Sequence, residues 1–196
     1  MDHVRFRPWI GNKYEAGNRF GKRVLVLGES HYGDWVDANE DFTTFIMRRY
    51  GMPVGGGAFF AKVVKVLLQM DVTDGLTAKD RAETWQHVAF YNYVQELVGD
   101  EARQRPTNAM WIEAERPFLE VVDALRPHVI LALGNELIWV DSCQVGMKGL
   151  RLRWGRSPCL GWVRWWRAGR FSTRCQSDMR GLGTAGQCFR LGRVAI

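Results

Sequence analysis

Glu29, Ser30, His31 and Tyr32 follow one another directly after a short apolar run, Val24 to Leu27, and the tight bend that Gly28 permits. Carboxylate, hydroxyl, imidazole and phenol are side chains that move protons, orient water or hold polar substrate edges, and here they leave one strand end together. Taken singly, Glu29 reads as a cap or an ion-pair partner, and His31 as a hydrogen-bonded loop histidine. Grouped on a glycine turn after a buried strand they point to a site, because acid–base groups collect in clefts.

The elements that must position this cluster are legible from periodicity. Val24 to Leu27 predicts a fully buried strand. "FTTFIMRRY" carries Phe42, Phe45, Ile46 and Tyr50 at helical spacing, and "AFFAKVVKVLLQM" repeats the pattern after Gly55, Gly56 and Gly57. Those three glycines lack the Lys-Ser/Thr of a phosphate-binding loop. Thr77 and Asp80 have capping-box spacing, so a short helix starts there. "HVAFYNYVQ" crowds β-branched and aromatic residues into a strand, interrupted by Asn92. Phe118, Leu119, Val121, Val122 and Leu125 predict a helix over about 107–125, with Pro117 starting its second half or kinking it. "HVILALG" is another buried strand, closed by Gly134. The alternation predicts a three-layer α/β/α sandwich with a mainly parallel central sheet. In such sheets ligands gather beyond the carboxyl ends of the strands, where Gly28 to Tyr32, Asn92 and Gly134 would lie. Trp9, Trp35, Trp85 and Trp111 read as packing residues, and Phe59 and Phe60 as helix core or as rings able to stack on a base.

At 196 residues, 46% hydrophobic and 24% charged, the chain has the composition of one soluble globular unit. No run reaches the roughly 18 apolar residues of a membrane span, and the first residues lack a signal-peptide pattern, so the expectation is a cytoplasmic protein without a membrane partner. The net charge of +6 is unevenly spread. Residues 1–141 hold 16 basic against 20 acidic side chains, a net of −4, whereas residues 142–196 hold 11 against 1, a net of +10. Cys143, Cys159, Cys175 and Cys188 all fall in the second part, with no C-x-x-C pair and no histidine beyond His128. That pattern predicts neither a zinc site nor a disulfide framework.

"VLGESHYG", then "FYNYVQ", "RQRPT" and "RPFLEVVDALRPHVILALG", resemble in their order the uracil-DNA glycosylase superfamily, in particular its branch with a Gly-Glu loop after the first strand. The resemblance covers about Arg23 to Gly134. It implies a hydrolase that cleaves the N-glycosidic bond of a nucleobase flipped out of DNA, single- or double-stranded, carrying a damaged or deaminated base, with no cofactor and as a monomer. On that resemblance Glu29, Ser30 and His31 stand where water is positioned or activated. Tyr32 stands where an aromatic crowds the 5-position of the base, and Asn92 where an amide reads the uracil edge. Gly28 and Phe60 complete the base-binding set. Asn92 also fits a residue that holds a sheet margin through backbone bonds.

The chain departs from that pattern in three places. Ser30 stands where one branch has a water-activating Asp, which leaves the work to Glu29 or His31. The iron–sulfur cysteines are absent, so no cluster is expected. A His-Pro-Ser type loop should follow Gly134, and no histidine does. The glycosylase-like unit is therefore expected over 1–141 and a basic tail, irregular in structure and rich in Arg, Gly, Trp and Cys, over 142–196. Three readings of the tail stand side by side: a segment out of frame relative to relatives, which is preferred; an Arg- and Trp-bearing binder of single-stranded nucleic acid; and a structural piece with "LRLRW" as an edge strand and its tryptophans completing the core. The alternatives to a glycosylase are a non-catalytic nucleic-acid-binding module of the same fold and an esterase-type hydrolase with a Gly-Glu/His loop.

Overall fold

The structure, a computed structural model, describes residues 1–15, 18–33, 38–53, 55–99, 104–133 and 137, and the backbone of 150–157 and 161–168. Six strands form one sheet: β1 (Trp9–Ile10), β2 (Val24–Gly28), β3 (Ala89–Asn92), β4 (Val129–Ala132), β5 (Leu150–Ser157) and β6 (Gly161–Ala168), in the order β1-β3-β2-β4-β6-β5. The three central strands, β3, β2 and β4, are parallel, with Leu25 opposite both Ala89 and Ile130. The fold is mixed α/β.

Two expectations are corrected here. The sheet is not mainly parallel, because β1 joins β3, β6 joins β4 and β5 joins β6 in antiparallel fashion. An apolar run announces a strand but not its direction, which depends on the connection. The tail is not wholly irregular either. Its residues 150–157 and 161–168 form a hairpin, and "LRLRW" lies in β5, the sheet's edge strand, as the structural reading of the tail expected. Gly134, Trp35, Arg103, the four cysteines and the side chains of Trp162, Trp165 and Trp166 lie outside the described residues.

Successive strand residues point to opposite sheet faces, and each central strand accordingly feeds two cores. Leu25, Leu27, Tyr91 and Ile130 share one core with Phe118, Val121 and Leu125 of helix α5 (Glu115–Leu125). Val24, Val26, Phe90 and Leu131 share the other with Phe60, Val63 and Val64 of α2 (Ala58–Leu68) and Trp85 of α3 (Ala78–Gln86). The Thr77 hydroxyl accepts the Asp80 N–H at 3.0 Å and starts α3 as its spacing predicts. Trp9 and Trp85 are buried and Trp111 packs on the α5 side.

The expected helix over 107–125 is two: α4 (Asn108–Glu113) and α5, divided at Ala114. Pro117 stands in the first turn of α5, where its missing N–H has no intrahelical partner to lose. Helix α1 (Phe42–Ile46) continues into a π-turn over Met47–Gly51, where the Met52 N–H donates back five residues to the Met47 carbonyl at 2.9 Å. The wider turn breaks the expected 3.6-residue stripe. Phe42 is buried, but Phe45 and Tyr50 face solvent.

Candidate functional site

The loops that leave β2 and β3 run side by side beyond the strand ends. Tyr93 N–H donates to the Gly28 carbonyl and Val94 N–H to that of Glu29, both at 2.9 Å, and Val98 N–H reaches the His31 carbonyl at 3.1 Å. On the other side, Leu133 N–H donates to the Leu27 carbonyl at 2.8 Å. The reactive tetrad is thus tied to the sheet through its main chain, which leaves its side chains to be placed by local packing.

Gly28 and Asn92 are register partners on the parallel strands. A Cβ on Gly28 would come within 2.1 Å of Asn92 Oδ1 and 3.3 Å of the Phe90 ring. Glycine here is a requirement of close approach: the amide of Asn92 occupies the space a side chain would take. Asn92 is only 5% exposed, and its amide lies directly against Gly28. Its backbone carbonyl is held by Gln95 Nε2 at 2.8 Å, while Gln95 Oε1 accepts the Phe6 N–H at 2.9 Å. The braced main chain fixes where the amide lies.

Glu29 follows Gly28 at once. Its carboxylate, 13% exposed, takes both oxygens to Arg105 Nη1 at 3.2 Å, from the loop that leads into α4. Ser30 Oγ is buried with no hydrogen-bond partner among the described residues. A buried hydroxyl left this way costs about 1–3 kcal/mol.

His31 goes elsewhere. Its ring is 4% exposed and meets Phe6 and Phe42 edge-on at 5.5 and 5.0 Å, and Nε2 bonds Thr43 Oγ1 at 3.0 Å. Burial drives its pKa down to about 3, so the imidazole is neutral and a weak base at ordinary pH. The bland reading of His31, a satisfied structural histidine, describes this geometry. Tyr32 packs on the α5-side core, whereas Phe60 lies in the α2-side core against Phe90 (5.7 Å) and Trp85 (5.8 Å). Asn92, two residues beyond Phe90, leaves β3 on that same α2 side. Gly28, Asn92 and Phe60 are therefore brought to one face, Glu29 and Ser30 adjoin it at the strand end, and Tyr32 and His31 pack apart from it.

Sequence reasoning did not single out Arg105, Gln95 or Arg81. "RQRPT" placed Arg105 in a turn, but nothing local pairs it with a glutamate 76 positions away. Arg81 looks like an ordinary polar helix residue, yet it is 5% exposed. Its Nε donates to the Gly51 carbonyl at 2.7 Å and its Nη2 to those of Tyr50 (2.6 Å) and Gly57 (3.0 Å). Among the described residues no group of three or more His, Cys, Asp or Glu could hold a metal ion, and no helix is long and apolar enough to cross a membrane. No protein-family model, curated protein or solved structure matches the chain.

Proposed function

We propose that the chain is a uracil-DNA glycosylase-like hydrolase, a three-layer α/β/α sandwich that takes a flipped nucleobase from DNA against Asn92 and cleaves its N-glycosidic bond. The observation that carries this reading is the Asn92 amide: almost wholly buried, braced through its backbone and laid over a glycine where two parallel strands end in register. A pyrimidine edge supplies the acceptor and donor such an amide needs. Phe60 and Phe90 give that face its aromatic floor, and Ser30 Oγ, two residues beyond Gly28, is buried without a hydrogen-bond partner among the described residues.

Glu29 orients the attacking water and sets negative charge near the cationic sugar that develops as the bond breaks. Arg105 fixes the carboxylate by holding both oxygens. His31, neutral and enclosed by phenylalanines, takes no proton in this scheme. The reaction needs no cofactor, and the protein acts on DNA as a cytoplasmic monomer. Release of uracil from a labelled oligonucleotide tests the assignment: Glu29→Gln and Asn92→Ala should each lose about 100-fold or more, and equal rates in all three proteins would exclude both roles.

A second reading is favoured by one observation, the absence of any histidine after His128. Without the second catalytic loop the fold would bind nucleic acid and not turn it over. Salt-sensitive binding that depends on Asn92, with no base released, would select this module.

A further inference from the structure

Residues 42–69 differ in charge from the part of the chain that contains them. Within a segment of net charge −4 they carry Arg48, Arg49, Lys62 and Lys65 and not one Asp or Glu. The large hydrophobic side chains they expose are all aromatic: Phe45 (51%), Tyr50 (42%) and Phe59 (41%). No exposed Leu, Ile, Val or Met accompanies them among the described residues of this stretch.

These rings are anchored to the reactive tetrad at one end and to the floor of the candidate site at the other. Phe45 stacks on Phe42 at 6.1 Å, and Phe42 touches His31 of the tetrad. Phe59 meets Phe60 edge-on at 5.2 Å, and Phe60 rests on Phe90, the ring beneath Gly28. Between them, Arg81 clamps the carbonyls of Tyr50, Gly51 and Gly57, locking the π-turn to the start of α2. Arg49 lies over Tyr50 at 5.6 Å. Rings held at fixed positions among cations suit a ligand with flat faces and a charged backbone, because base–aromatic stacking and phosphate neutralisation then act together.

We infer that the face made by α1, the π-turn and the first turns of α2 is a docking surface for unpaired DNA, which it leads toward the Asn92 site. Bases stack on Phe45, Tyr50 and Phe59 while Arg48, Arg49 and Lys62 meet phosphates. Paired bases hide their faces, so the surface selects single strands over duplex. The inference rests on the base-excision reading, of which it names the substrate form.

Fluorescence anisotropy with a labelled oligothymidylate, using the full chain so that the basic tail is a common background, provides the test. Tyr50→Ala/Phe59→Ala should weaken binding at least tenfold, while Ile112→Ala and Lys79→Ala, exposed on other helices, stay within twofold. Arg48→Ala/Arg49→Ala should flatten the salt dependence by about one unit of log–log slope, and it serves if loss of the rings unfolds the protein. Duplex of the same length should bind wild type more weakly. Unchanged affinity in both double variants, tighter binding of duplex, or binding only to vesicles of anionic phospholipid would overturn the inference. Uracil release from single strands that is insensitive to these variants would sink the docking surface and leave the glycosylase reading standing; ring-dependent binding with no uracil release would do the reverse.

Discussion

The amide of Asn92 lies across the Cα of Gly28, so close that a methyl group at position 28 would fall 2.1 Å from Oδ1. Two parallel strands end in register at this pair, and the amide occupies the space between them. Gly28→Ala must therefore displace the amide. Base release should drop at least tenfold, and binding of uracil-containing strands with it, while circular dichroism keeps its native form. Full activity in Gly28→Ala would show that the position of the amide is irrelevant.

Asn92→Ala separates recognition from structure. A buried asparagine that stitched the sheet would cost about 1–3 kcal/mol when truncated. One that serves a ligand should cost less than about 1 kcal/mol. Urea unfolding of the two proteins decides, and a large loss of stability would assign Asn92 to the architecture.

Arg105→Ala removes the guanidinium that now holds the Glu29 carboxylate by both oxygens. Base release should fall roughly tenfold, less than in Glu29→Gln, because the carboxylate persists but loses part of its positioning. Since Arg105 is half exposed, the melting temperature should move little. A change in stability with no change in rate would make the pair purely structural.

His31 gives the fold an acid sensitivity of definite sign. Its folded pKa is lowered to about 3 by burial, so between pH 6.5 and 3 the unfolded chain binds a proton that the native ring refuses. Stability then falls as pH drops through that window, by roughly 1.4 kcal/mol per unit once well below 6.5. His87 and His128 are also lowered, mainly by burial, and act in the same direction. His31→Phe, which removes the titrating ring and keeps an aromatic beside Phe6 and Phe42, should reduce the slope of urea midpoint against pH between 7 and 5. An unaltered slope would locate the sensitivity elsewhere.

The central strands, the starts of α2 and α3 and the meeting of Gly28 with Asn92 at one sheet end were legible because each rests on local pattern: a valine-rich run, a Thr-to-Asp capping interval, a glycine directly after a strand. Non-local contacts were not. His31 is buried by Phe6, 25 residues upstream, and no feature of its neighbours signals this. The resemblance groups Tyr32 with Asn92, yet Tyr32 packs on the α5-side core while Asn92 faces α2. Helical spacing puts Phe45 and Tyr50 with the buried Phe42, yet both are exposed, Tyr50 within the π-turn. Strand β1, two residues long, is too short to show a period, and the antiparallel flanks follow from connections that periodicity does not encode.

Uracil release from a single-stranded oligonucleotide by wild type and by Asn92→Ala, with both proteins shown to be folded, tests the base-excision assignment most directly. The account predicts product from wild type and at least 100-fold less from Asn92→Ala. Equal release from the two, or none from a folded wild type, would contradict it.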